Sequence, residues 1–433
     1  MALVTVAALA CGCATTRPAP ADAAYGVPIQ INTPQGLRAK QTMDMLNSDW
    51  PIGEANVRTM AVPDLVEHVG VTLDRIWWDR PFKVTDVEVG AGHVTMEVVT
   101  SYGVAQTIRL RTDDAGMIDR FTVDLVKPEI DEWSDIDEQI SATGARYSYQ
   151  VAKVNDGRCE KVAGSNTDMS LPLASIFKLY VLLAVAEAVK AGTLAWTDTL
   201  TITEEAKAVG SSGFDELEPG ATVTVREASQ QMISASDNMA TDLLIERLGP
   251  GAIERALVTA GHHDPASMTP FPTMHELFSV GWGTPDLREQ WKQGSPEVRA
   301  QLLQQTNSRP YEPDPNRTHM PASEYGAEWY GSAADICRLH ATLQREAVGE
   351  AAAVKDILSF LPGIDLDRTE WPYIGAKAGN LPGDLTFSWY AVDKSGQPWV
   401  VSLQSNWPEF RSQTAAAWLM SIARQTFDLI PRG

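Results

Sequence analysis

The chain has 433 residues, with 35 Lys and Arg against 56 Asp and Glu, a formal net charge of −21 and a pI near 4.7. That balance excludes a nucleic-acid partner, which demands a basic stripe, and adhesion to an anionic membrane through protein charge. The length suits two domains or one large domain with an appendage, and no repeat period runs through it.

The opening stretch, MALVTVAALACGCATTRPAPADAAYG, reads as the apolar region of an export signal followed by a small-residue, Pro/Ala linker over residues 1–25. The ALAC ending at Cys11 resembles a bacterial lipoprotein cleavage box, with a second cysteine at Cys13, although no Lys or Arg precedes Arg17. The expectation is an exported, cell-envelope protein whose contact with membrane runs through a lipid anchor at Cys11 or Cys13.

Residues 26–130 read as a small α+β domain. Helical patterns over 37–46 and 63–77 come first, then four runs: KVTDVEV, HVTMEVVTS, VAQTIRLRT and MIDRFTVDLV. Val94, Met96 and Val98 alternate with polar residues, and short turns separate the runs, so they predict an antiparallel sheet packed by the helices. The layout is similar to that of NTF2-like or cystatin-like domains. VKPEIDEWSD, residues 126–135, marks a boundary by its proline and clustered acids. Residues 131–433 then read as a helix, two strands, a long helical region, two paired strands and a final helix over 411–427. Strands at both ends with helices between predict one sheet assembled from distant segments.

Beyond the leader only Cys159 and Cys337 remain, and two such cysteines allow at most one intramolecular disulfide; they read as buried small hydrophobes. The run LPLASIFKLYVLLAVAEAV, residues 171–189, is long and apolar, but Pro172, Lys178 and Glu187 make it a core helix and not a membrane span. An ammonium inside it needs a reason, because burying a lysine without a partner is costly. Ser175 and Lys178 stand three residues apart and share a face. Serine needs a neighbouring base to act as a nucleophile, and desolvation lowers a lysine pKa into a useful range. Ser236-Asp237-Asn238 follows 61 residues after Ser175, with Ser236 suited to relay a proton and Asn238 to present an amide to an acyl side chain. Lys377-Ala378-Gly379 stands at a strand start, offering a second positive charge and a glycine that lets substrate backbone approach.

These three motifs, in this order, resemble the S-x-x-K, S-D-N and K-T-G signatures of the class A β-lactamase and penicillin-binding superfamily of active-site serine enzymes. The resemblance covers about residue 133 to the C-terminus. It implies a serine β-lactamase/transpeptidase-like α+β domain with an antiparallel sheet flanked by helices. The two-domain layout also looks like that of a β-lactamase-like protein of the clavulanic-acid gene cluster. The resemblance further implies that Ser175 attacks a carbonyl, with Lys178 as base, Ser236 as relay and Lys377 supporting the field and contacting a substrate carboxylate. The oxyanion would sit between the backbone N–H groups of Ser175 and Asn380, beside Gly379.

Two departures stand out. Ala378 replaces the Thr or Ser of K-T-G, which removes a hydroxyl that helps hold a substrate carboxylate. The E-x-x-x-N element that supplies a deacylating glutamate is missing; Glu276, 40 residues past Ser236, is the nearest candidate and reads as lying on a surface turn of a short helix. Lys377 follows Ser236 by 141 residues, and the segment between them includes what looks like an added lobe. His262, His263 and Asp264 read as a polar turn, the other histidines are scattered singly, and no metal or cofactor is expected.

The expected function is hydrolysis of a β-lactam or small ester or amide through an acyl-Ser175 intermediate, with weak or non-standard deacylation. The alternatives are a penicillin-binding D,D-peptidase acting on cell-wall peptides, and a non-catalytic β-lactam- or peptidoglycan-binding protein. The expected partner is a small-molecule substrate.

Overall fold

The computed structural model describes residues 21–22, 24–49 and 51–431, so most of the stretch read as a leader, Cys11 and Cys13 included, lies outside the described residues. The chain divides between Val126 and Lys127 into two compact units.

In the first unit, helix α1 (Pro34–Leu46) begins where Thr33 accepts a hydrogen bond from the Gly36 N–H and Pro34 presets the first turn. Helix α2 (Val66–Trp77) follows. Strands β1 (Lys83–Val89), β2 (His93–Val99), β3 (Ala105–Thr112) and β4 (Ile118–Leu125) form an antiparallel meander in chain order. The alternation along β2 sends Val94, Met96 and Val98 into a core shared with Ala39, Met43 and Leu73 of the helices.

The second unit opens with α3 (Trp133–Ala142) and the hairpin β5 (Arg146–Asn155) and β6 (Arg158–Ser165). Helices α4 (Lys178–Lys190), α5 (Val225–Ser234), α6 (Asn238–Leu248), α7 (Met274–Gly281), α8 (Pro296–Asn307) and α9 (Ala333–Glu346) come next. Strands β7 (Tyr373–Leu381), β8 (Asp384–Val392) and β9 (Pro398–Asn406) and helix α10 (Gln413–Asp428) complete it. The five strands make one antiparallel sheet in the order β7-β8-β9-β5-β6, so the ends of the unit do meet in a single sheet, with β7 at its edge.

Helix α4 is apolar on all sides and accordingly buried on all sides: every residue from Lys178 to Ala186 is inaccessible or nearly so. Among the described residues no helix is long and apolar enough to cross a membrane. The cysteines correct the expectation above. Cys159 on β6 and Cys337 on α9 are joined in a disulfide, with Cα atoms 6.3 Å apart. Their 178-residue separation hid a proximity that only the sheet order creates.

Candidate active site

Four segments converge on Ser175. The pair Leu171–Pro172 bridges antiparallel to Tyr330–Gly331, and the Leu173 N–H donates to Trp329 O at 2.8 Å. Phe177 stacks on Trp329 with ring centroids 3.7 Å apart. Ser175 therefore sits in a clamped single turn of 3-10 helix, Ala174–Phe177, and α4 begins only at Lys178. The sequence reading placed both residues on one continuous helix; a 3-10 turn keeps them on the same face because residues three apart eclipse. Ala174 is held at φ 44°, a left-handed conformation costly for a residue with a Cβ, which turns Ser175 half out of the core while its neighbours stay buried.

Lys178 is fully buried, and its Nζ donates to Ser236 O at 2.5 Å, to Asn238 Oδ1 at 2.8 Å and to Ser236 Oγ at 3.4 Å. Lys377 Nζ reaches the same Ser236 Oγ at 3.0 Å and donates to Ala378 O at 2.6 Å. One hydroxyl thus lies between two buried amines. Desolvation, then the nearby Lys377 charge, hold the Lys178 amine well below its ordinary range, against the pull of Asp237 and Asp242. Desolvation lowers Lys377 to about 7. Ser236 itself is at φ 57°, a second strained residue in the same cluster.

Asp237 explains how that strained turn is kept. It caps α6 through the Ala240 N–H at 2.8 Å, and its other oxygen accepts from the Ser211 hydroxyl and from the Ser212 and Gly213 N–H groups, both at 3.0 Å. The GSSG loop at 210–213 is fastened to the cleft by this carboxylate. Asn238, expected to present an amide to an acyl side chain, accepts from Lys178 at its Oδ1, while its Nδ2 lies 3.5 Å from Val209 O.

Lys377 falls in the middle of β7, not at its start, and β7 runs beside the nucleophile turn. A Cβ on Gly379 would lie 2.6 Å from Ser175 N and 2.8 Å from Leu173 O, so only glycine permits this approach. Asn380 is exposed at the next position. His340, a histidine with no sequence signal, steadies the strand from behind. Ser388 Oγ donates to Lys377 O at 3.1 Å and faces His340 Nε2 at 2.9 Å, so the imidazole supplies the proton of that contact. Burial holds the ring neutral, with its pKa lowered to about 3.

Two further readings are corrected. Glu276 is not on the surface: it is 8% exposed and closes a capping box with Thr273 at the start of α7. One carboxylate oxygen accepts from the Thr273 N–H at 2.8 Å and the other from Asn307 Nδ2 at 2.5 Å. Asp242 braces the same helix end, accepting from the Met274 and His275 N–H groups at 2.7 and 2.9 Å, and burial pushes its carboxyl up to about 7. His262 and His263 are no simple polar turn either, because they gather with Asp335. The donors of that group are already engaged. His262 Nδ1 accepts from the Asp264 N–H, its Nε2 meets Tyr330 O, and Asp335 binds Ser332, His263 and Arg338.

Beyond Ser236 and Lys377 the cleft opens into a cavity of about 210 Å³ that also touches Ala378, Asn380, Phe387 and Trp389. A larger cavity of about 540 Å³ lies behind α7, beside Asp242 and Glu276, and touches none of the three motifs' serines or lysines.

Residues 132–429 match the family described as "Beta-lactamase enzyme family", and residues 30–118 match one described as "ORF 12 gene product N-terminal". Beta-lactamase VEB-1 of Pseudomonas aeruginosa is 24% identical over 156 residues, 35% of this chain and 51% of that protein, so the match spans about half the relative's length. Among solved structures, the β-lactamase of Sphaerobacter thermophilus DSM 20745 is 20% identical, covering 70% of this chain and 99% of that one with a TM-score of 0.48. PBP-A is 16% identical over 69% of this chain and 96% of its own, with a TM-score of 0.45.

Proposed function

The chain belongs to the β-lactamase enzyme family, and from that premise we propose that it is a serine hydrolase that opens a β-lactam, or a small ester or amide, through an acyl-Ser175 intermediate. The observation that carries this reading is the single hydroxyl of Ser236 within hydrogen-bond reach of both Lys178 and Lys377. In the proposed reaction neutral Lys178 takes the Ser175 proton as Oγ bonds to the acyl carbon. The C–N or C–O bond then breaks, and Ser236 passes the proton to the departing atom. The N–H groups of Ser175 and Asn380 would hold the oxyanion, the approach at Gly379 bringing them together, and Lys377 would support the field. Water then cleaves the ester, returning the acid and free Ser175.

That last step is expected to be slow. The two carboxylates braced at α7 are spent on holding it, Glu276 by Thr273 and Asn307, Asp242 by two N–H groups. The same reading places the protein in the cell envelope, lipid-anchored at Cys11 or Cys13. The Cys159–Cys337 disulfide supports the export alone, since such bonds persist in oxidising compartments.

Intact-mass spectrometry of the protein with a penicillin, a cephalosporin and an activated ester, beside Ser175→Ala, tests the proposal. The expected result is an acyl adduct on the wild type alone, decaying over minutes or more. Absence of both adduct and product with every substrate would overturn it in favour of a binding role.

A further inference from the structure

The cavity beyond Ser236 and Lys377 is placed to receive a leaving group: Ser175 does not line it, but the residue that would hand that group its proton does. Its chemistry differs from what a carboxylate needs. Ala376 and Ala378 sit directly across from Trp389 and Phe387 on the next strand. Two methyl side chains beside two aromatics make this wall carbon, and Trp389 and Phe387, 2% and 7% exposed, present only ring edges to the cavity. The rings lie nearly parallel, with centroids 5.9 Å apart. Leu361, Pro362 and Met420 close the other side. Pro362 is tied to the floor by the Trp389 indole, which donates to its carbonyl at 3.0 Å, and Leu361 is 62% exposed at the rim.

Among the described residues lining this cavity, Lys377 alone is charged. Its ammonium is turned toward Ser236 Oγ and Ala378 O, and no arginine or threonine stands beside it to make a bidentate site. A carboxylate entering here would lose water for one ammonium already engaged by protein oxygens and for the neutral Ser234, Ser236 and Asn380, whereas an apolar ring would meet aromatic and aliphatic carbon on the other walls. The volume of about 210 Å³ suits one such ring, since an apolar cavity of roughly 150 Å³ holds benzene.

We propose that this cavity is a leaving-group subsite for an uncharged apolar group, so that the substrates are neutral aryl or alkyl esters or amides and not compounds carrying a carboxylate beside the scissile bond. The inference rests on the acyl-Ser175 reading. In the step concerned the acyl carbon bonds to Ser175 Oγ, the acyl C–O bond breaks, and the departing oxygen leaves as a phenol or alcohol with the proton relayed by Ser236.

The test uses two phenylacetyl esters, of 3-methylphenol and of 3-hydroxybenzoic acid, with rates normalised to alkaline hydrolysis. Working in about 0.5 M salt, where charge interactions are screened within a few ångströms, isolates the subsite. The expected kcat/KM favours the cresyl ester by about tenfold or more, and Leu361→Arg or Ala378→Arg narrows or reverses that ratio through a gain for the carboxylated ester. Equal rates for the two esters, or a ratio unmoved in both variants, overturn the subsite while leaving the hydrolase reading intact. If neither ester acylates the protein, binding of 3-methylphenol and 3-hydroxybenzoate to Ser175→Ala, followed by ligand-observed NMR, decides the matter. Tighter binding of the cresol then supports the subsite and leaves the hydrolase reading to fall alone; indifference between the two overturns the subsite as well.

Discussion

Lys178 can serve as a base only when neutral, so the groups that hold its amine neutral set the pH at which acylation begins. Burial is the first of these and the Lys377 charge the second. A base must be deprotonated to act, so the rate rises with pH through its pKa, and a lowered pKa moves that limb down from the ordinary lysine range. Lys377→Met keeps the burial and removes the charge, which raises the Lys178 pKa and moves the ascending limb to higher pH. At neutral pH acylation should fall by roughly a hundredfold, the span of one lost acid–base contribution. Stopped-flow acylation rates across pH would show this; a rate that drops with the limb unmoved would mean that Lys377 acts on Ser236 and substrate alone. The lysines and serines of this cluster were legible in the sequence because motif spacing encodes them. Their supports were not. Asp237 reads as the middle letter of a motif, yet its carboxylate fastens the 210–213 loop. His340 stands alone in sequence and reaches Lys377 only through Ser388, 48 residues away.

At the scale of elements, the strand pattern announced a sheet built from both ends of the domain, because alternating apolar runs show at once in sequence. What the pattern could not give was the order β7-β8-β9-β5-β6 or the position of α9 against it, and the cysteine pair was misread for that reason. Glu276 was misread for a related one: the capping box with Thr273 is a local signal, but its burial depends on α8 delivering Asn307 from 31 residues away. The disulfide ties the sheet's far edge strand, four places from β7, to α9, the helix whose His340 meets Ser388. Cys159→Ser with Cys337→Ala should therefore lower stability by about 2–4 kcal/mol, chiefly by freeing the unfolded chain. Acylation at a temperature where both proteins are folded should be unchanged. Thermal unfolding of both proteins, with acylation measured alongside, checks the pair of claims; a matching loss of acylation in the folded variant would show that the bridge shapes the site.

Among the described residues, the apolar cluster of the first unit is separate from those of the second, around α4 and between α9 and the sheet, so each unit buries its own surface. The feature that belongs to the molecule as a whole is its field. A net charge of −21 repels anions over distances set by salt, about 30 Å at 0.01 M and near 4 Å at 0.5 M. The buried ammonium of Lys377 is a short-range exception, engaged at 2.6 and 3.0 Å by protein oxygens. Long-range repulsion and an apolar subsite both disfavour carboxylated substrates, but only the first is screened. For the carboxylated ester, kcat/KM should therefore rise about two- to fivefold between roughly 0.01 and 0.5 M salt. The neutral ester should change little, so the preference between them narrows without vanishing. The residue that persists at high salt belongs to Phe387, Trp389 and their neighbours, and the part that disappears belongs to the charge of the chain. If salt instead lowers the rate of the carboxylated ester, a local positive charge is drawing it in, and Lys377 must be free to bind substrate in a way its protein contacts argue against.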